Sequence, residues 1–272
     1  MRILYLLHQF MPEFSGGTER VTLNLARAAQ AEGHHVEVFT TSQHPGADWR
    51  PGPDGLRYAV VEGTPVYALP AQPPQPLEEL GFRRRDAERA AFRTFLDGRG
   101  AFDLAHVTHA MRLVDIVEEL QARRIRYLMT LTDFFPICHR VNLIRLNGDL
   151  CEGPRGGRNC QVHCWTPEIG ESGYGARIER LGAVLRNASV LVAVSDYVAE
   201  LYRAEHPDLD IRVVGNGVDL LRFPRPRARG GEGPLTFGYL GTVSEAKGAT
   251  MLVEAFAKAA PADARLRVIG PC

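Results

Sequence analysis

From its second residue the chain alternates short apolar runs with segments of helical periodicity, and that alternation constrains its fold more than any other feature. Arg2–Leu7 reads as a buried strand. Glu19–Glu32 follows, with Val21, Leu23, Leu25, Ala28 and Ala29 supplying one apolar helix face, and then His35–Thr41 as a second strand. The pattern resumes at Leu104–Val107, Leu113–Arg123, Tyr127–Leu131, a helix near Gly175–Asn187, Val190–Val194, Asp196–Ala204 and Ile211–Val214. Strand and helix in turn predict a parallel sheet with helices on both faces, an α/β doubly wound domain.

Three stretches depart from the alternation. Residues 43–81, rich in Pro and Gly, predict loops with edge strands at Leu56–Val61 and Val66–Leu69, then an Arg/Glu-rich helix to about Arg99. Residues 133–172 form an insertion whose Val141–Leu150 segment reads as a hairpin, Asn147-Gly148 suiting a tight type I′ turn. Pro224–Gly233 has the composition of a linker, which places an N-terminal domain at 1–222, the linker at 223–233 and a second domain from 234. That second part holds a strand at Leu235–Leu240, a helix at Lys247–Ala259 and a strand at Arg265–Val268. It is a second Rossmann-like beginning, too short to bury a core of its own comfortably.

Composition narrows the partners. The 272 residues carry 32 Lys+Arg against 32 Asp+Glu, which gives no electrostatic argument for nucleic acid as a partner. The apolar start lacks the features of a secretory signal, and no run approaches the ~20 residues that span a bilayer. A soluble, cytoplasmic protein is expected, with peripheral contact at the inner membrane face left open.

Two loops join a strand end to a helix start. In the first, His8 to Glu19, the consecutive Gly16 and Gly17 would let backbone amides approach a ligand, and the helix N-terminus favours phosphate. The alternative is a tight turn and nothing more. The G-x-G-x-x-G spacing of dinucleotide binders is absent after this strand, which disfavours a nicotinamide cofactor. In the second loop, Gly241-Thr242-Val243-Ser244-Glu245-Ala246-Lys247-Gly248, the lysine can neutralise a diphosphate while glycine keeps the approach clear. Taken alone, Lys247 is equally readable as a solvated surface lysine.

Of five cysteines, Cys138, Cys151, Cys160 and Cys164 crowd into the insertion with spacing C-x12-C-x8-C-x3-C, flanked by His139 and His163. Closure of the hairpin could gather four thiolates around a structural zinc ion. Separately packed reduced cysteines, or a disulfide pair, are the other readings. Phe134-Phe135-Pro136-Ile137 beside them could meet a lipid-linked or aromatic acceptor, or pack beneath the hairpin.

Taken in order, Gly16-Gly17-Thr18-Glu19, Ser195-Asp196 after a strand, Asn216-Gly217-Val218-Asp219, and Gly241 through Lys247-Gly248 resemble glycosyltransferase family 4. These are retaining GT-B enzymes built from two Rossmann-like domains. The resemblance covers nearly the whole chain. It implies transfer of a sugar from a nucleotide-diphosphate sugar to an acceptor hydroxyl on a glycan, glycolipid or small molecule, with no cofactor required for the chemistry. It also implies roles: Gly16, Gly17, Gly241, Thr242, Lys247 and Gly248 about the donor phosphates, His109 and Lys247 in catalysis, and His8, Asp133, Ser195 and Asn216 on the acceptor side or in the cleft. His109 reads equally well as a plain polar loop histidine.

Three departures accompany the resemblance. The arginine the family places after the loop glycine is Thr242 here, and its His-Asp after the Tyr127–Leu131 strand is Thr132-Asp133. Its acidic E-x7-E motif would lie beyond Cys272, so an incomplete donor domain is expected. A non-catalytic acceptor-binding fragment and a sugar-nucleotide epimerase on the same architecture are the rival readings.

Overall fold

The computed structural model describes residues 1–44, 48–70, 76–220 and 233–271. It divides into two compact units, Met1–Asp219 and Leu220–Cys272. Apart from Gly233, the expected linker lies outside the described residues.

In the first unit the elements run β1 (Arg2–Leu6), α1 (Gly17–Ala31), β2 (His35–Ser42), β3 (Arg50–Pro51), β4 (Arg57–Val61), β5 (Thr64–Pro70), α2 (Pro76–Glu79), α3 (Asp86–Asp97), β6 (Leu104–Val107), α4 (Val114–Ala122), β7 (Tyr127–Leu131), α5 (Arg158–His163), α6 (Gly170–Arg186), β8 (Val190–Ala193), α7 (Asp196–Glu205) and β9 (Ile211–Val213). They form one sheet in the order β3-β4-β5-β2-β1-β6-β7-β8-β9. Pairing is parallel from β5 through β9; the β3–β4 and β4–β5 pairings at the edge are antiparallel. The segment Val66–Leu69, expected as an edge strand, is therefore interior, between β4 and β2.

Strand periodicity explains the two faces. On β1, Ile3 and Tyr5, continued by Leu7, join Leu23 and Ala26 of α1 in one core, while Leu4 and Leu6 turn to the opposite core with Phe92 and Phe95 of α3, Ile116 and Leu120 of α4, and Leu181 of α6. A strand buried on both sides must be apolar throughout, as β1 is. A charge cluster ties α3 to α4: Glu119 accepts from Arg89 at 2.8 Å, Arg93 at 3.1 Å and Arg123 at 3.0 Å.

The second unit pairs β10 (Thr236–Leu240) in parallel with β11 (Arg265–Ile269), joined through α8 (Ala249–Ala259). Among its described residues only Ala249 is buried; Leu240 is 85% and Met251 71% exposed. Among its described residues the unit does not close a core.

The hairpin in the insertion differs from expectation. Ile144 and Leu150 form one antiparallel bridge, but Gly148 N donates to Arg145 O at 3.0 Å and Arg145 N to Asp149 O at 2.8 Å. Gly148 takes φ 92° and Asn147 does not enter the left-handed region, so the loop is a three-residue turn with a glycine bulge instead of type I′. The Asn147 carboxamide decides the shift. Its Oδ1 accepts from Asp149 N at 3.1 Å and its Nδ2 donates to the Asp149 carboxylate at 2.8 Å, a local arrangement that competes with the two-residue turn.

Candidate active site

The order of strands places a topological switch point between β1 and β6: the chain leaves β1 toward β2 on one side and returns to β6 on the other. Open α/β sheets bind ligands at the carboxyl ends of such strands. Leu6 pairs with Val107, and Val107 with Met129, so the residues just past these ends are neighbours. They are His8, His109 and Asp133.

His109 and Asp133 are hydrogen-bonded, Nε2 to Oδ2, at 2.5 Å. The tautomer follows from the other nitrogen: Nδ1 accepts the Met111 amide at 3.2 Å, so Nε2 carries the proton and donates it to the carboxylate. Asp133 is itself oriented, its Oδ1 accepting from Phe135 N at 2.8 Å and its carbonyl from the Tyr202 hydroxyl at 2.9 Å. The His8 ring lies against His109 with centroids 4.0 Å apart. Burial, with His109 and Arg112 beside it, pushes His8 down to about 2, so it is neutral. Its Nδ1 is buried and has no hydrogen-bond partner among the described residues.

Sequence reasoning passed over Arg112. Its backbone adopts φ 63°, unusual for a residue with a Cβ. The guanidinium donates to Glu79 at 3.1 Å and to the His8 carbonyl at 3.4 Å, fastening α2 to the β1 end. Positive φ in a polar loop leaves no sequence signal unless the residue is Gly or Asn.

The Gly16-Gly17 loop opens onto the same end of the sheet. Gly16 caps α1, its amide accepted by Glu19 Oε2 at 2.8 Å, and no side chain caps the helix, which leaves the leading amides of the first turn open. Thr22 of α1 shares a 2.8 Å hydrogen bond with Thr108, next to His109. Glu13, in the loop between, has a buried side chain that accepts from Gln43 N at 2.9 Å and Trp49 Nε1 at 2.7 Å, holding the loop to the end of β2.

Other expected residues lie elsewhere. Ser195 caps α7, accepting from Val198 N at 3.3 Å, which explains it structurally. Asn216 is exposed in the segment after β9. Gly241, Thr242, Lys247 and Gly248 belong to the second unit. There Gly241 N donates to Ile269 O at 3.0 Å, Gly241 and Gly248 take φ 151° and 72°, and Lys247 is exposed in the turn before α8.

A cavity of about 940 Å³ contains none of the three strand-end residues. It is walled by α2 and the loop after it on one side (Leu77, Leu80, Arg83) and by the insertion on the other (His139, Arg140, Leu146). Arg177 of α6 joins these walls. It is buried and donates to the carbonyls of Leu80 and Phe135 at 2.6 Å each, with its guanidinium 4.9 Å from the Phe135 ring centroid. Beside it stand the four insertion cysteines, all free; Cys138, Cys160 and Cys164 are buried. Burial pushes the Cys160 thiol up to about 12. Among the described residues no three His, Cys, Asp or Glu side chains stand at metal-ligand positions. No described helix is long and apolar enough to cross a membrane.

Residues 16–217 match the family model of the glycosyl transferase 4-like domain. Similar solved structures include the sucrose-phosphate synthase of Thermosynechococcus elongatus, with TM-score 0.60 and 17% identity over 99% of this chain and 62% of that one. HepE of Anabaena, solved with UDP and glucose, gives TM-score 0.60 and 15% identity over 99% and 61%. The trehalose-6-phosphate synthase OtsA gives 0.60 and 13% over 100% and 65%. At these identities the likeness is one of fold, the α/β GT-B type with Rossmann-like domains. This chain spans about three-fifths of the length of the first of them, 62%. No curated protein matches it.

Proposed function

This chain belongs to the glycosyl transferase 4-like family, and from that premise we propose that the protein moves a sugar from a nucleotide-diphosphate sugar to an acceptor hydroxyl with retention. The observation that carries the reading is the His109–Asp133 pair at the switch point, beside the unpartnered Nδ1 of His8 and near the open amide end of α1. The family's adjacent His-Asp is replaced by two residues from neighbouring strands, so Thr132 costs the site no imidazole. HepE, solved with UDP and glucose, supports a nucleotide-sugar donor.

In this reading the bond from the anomeric carbon to the diphosphate oxygen breaks as the acceptor oxygen bonds to the same face. The acceptor proton passes to the departing phosphate. Within the second unit, Lys247 and the amides that open α8 are suited to offset charge on a leaving diphosphate. Asp133 holds the His109 ring so that it presents a fixed face to the reacting sugar, a positioning role. The 940 Å³ cavity takes the acceptor: Leu77, Leu80 and Leu146 suit an apolar portion, Arg83 and Arg140 an anionic or hydroxyl-rich one, which favours a glycolipid.

The test is calorimetric titration of the full-length protein with nucleoside diphosphates and their sugars, followed by NMR of any product anomer. Micromolar binding and a product with the donor's anomeric configuration are expected. Absence of nucleotide binding by folded protein would sink the reading, an inverted product would refute retention, and epimerised free donor would point to the rival chemistry.

A further inference from the structure

The insertion holds a cluster that the transfer reaction does not use. We infer that Cys138, Cys151, Cys160 and Cys164 are the ligands of one structural zinc ion that fixes the wall of the large cavity. The backbone brings the four together from a turn, a hairpin end and α5: Val141 N donates to Cys138 O at 2.9 Å, Cys151 N to Leu143 O at 2.7 Å, Leu146 N to the carbonyl of His163 beside Cys164 at 3.4 Å, and Cys164 N to Cys160 O at 2.8 Å. Sulfurs so grouped, three of them buried, match the soft, four-coordinate thiolate set that zinc prefers.

Two further observations point to an ion rather than to packed thiols. The first is Arg177. Its buried guanidinium forms no ion pair with a carboxylate among the described residues, and its hydrogen bonds all go to neutral carbonyls. A buried, uncompensated cation is costly. Cys138, Cys160 and Tyr202 would act on it if ionised, and the like charge of Arg180 adds to its burden. Four thiolates around Zn²⁺ carry two net negative charges, which Arg177 would help balance; four neutral thiols leave it alone.

The second is the backbone around the sulfurs. The Leu146 amide, donating to His163 O, holds the hairpin against the end of α5. Within this segment Val141 and Leu143 adopt φ 70° and 55°, a conformation that a β-branched valine rarely takes. A backbone fixed in this way constrains where the cysteines stand, as the surroundings of metal ligands do. The sulfurs stand as neighbours, not yet at ligand positions; rotation about χ1 relocates a thiol with the backbone held. On binding, the four thiols release their protons to solvent and no electron moves.

The experiment uses the full-length protein, purified without chelator or a metal-binding tag. Elemental analysis should find about one zinc per chain. The thiols of Cys138, Cys151, Cys160 and Cys164 should resist an aromatic disulfide reagent until a strong chelator is added, and Co²⁺ substitution should give the charge-transfer absorption of tetrahedral thiolate. A Cys160→Ser/Cys164→Ser double variant should lose the metal while Cys272→Ser keeps it. If the double variant does not fold, metal content and thiol protection of the unaltered protein decide. Metal-free protein that takes up no added Zn²⁺ and has four freely reacting thiols would overturn the inference. So would a mass two hydrogens lighter for a disulfide within the cluster. Nucleotide binding reads out separately, so failure here leaves the transferase reading standing.

Discussion

His106 sits in the middle of the sheet, buried on β6, with Nε2 2.8 Å from the Thr130 hydroxyl and its ring 5.1 Å from Tyr5. Burial lowers it from 6.5 to about 4, with no carboxylate offsetting the effect. The folded protein thus refuses a proton that the unfolded chain accepts. The stability this contributes is complete above pH 6.5 and is lost as pH falls toward 4. Between about pH 7.5 and pH 5 the loss is about 2 kcal/mol, approaching about 3 kcal/mol below pH 4. His106→Gln removes the titration while keeping an amide for Thr130. Urea unfolding followed by tryptophan fluorescence is the assay, because both tryptophans, Trp49 and Trp165, lie in the first unit and report on it alone. His8 and His139, also held low, at about 2 and about 4, titrate in the same window in both proteins and cancel in the comparison. The variant should therefore lose about 2 kcal/mol less than the parent over that interval. Equal losses would refute the claim that buried neutral His106 sets part of the acid sensitivity.

Gly157→Ala should destabilise the first unit by about 2 kcal/mol or more in the same assay, since the added Cβ would stand 2.6 Å from Gly175 N and 2.8 Å from Tyr174 C at a φ of 90°. At Gly16→Ala the new Cβ would meet Glu19 Oε2 at 2.6 Å, the end of a flexible side chain. The carboxylate should swing away and release the Gly16 amide, costing about 1 kcal/mol by urea melt. Lys247→Ala should weaken nucleoside-diphosphate binding by about tenfold or more in calorimetry with no change in thermal midpoint, because the residue is exposed.

The alternation of apolar runs was enough to read the parallel sheet, since each strand declares its burial through its own residues. What it could not declare was neighbourhood. His8, His109 and Asp133 were each legible as strand-end residues, but their meeting depends on β1, β6 and β7 lying side by side, a property of topology. Arg112 and Arg177 were invisible for a related reason: a surface arginine and one that ties three carbonyls together have the same spelling. At Asn147-Gly148 local chemistry misled directly, because the asparagine side chain satisfied Asp149 and handed the left-handed position to the glycine alone. Ser195 has a structural use that its sequence position also signals, since its hydroxyl caps the first turn of α7.

His109 and Asp133 arrive on different strands, so their pairing reports on how β6 and β7 have aligned. A slip of one residue between those strands would turn one of the two side chains to the far face of the sheet and dissolve the pair. On the proposed reading, a chain that folds to the right shape in the wrong alignment would be inert, and turnover per molecule would then count correctly registered sheets in a refolded sample.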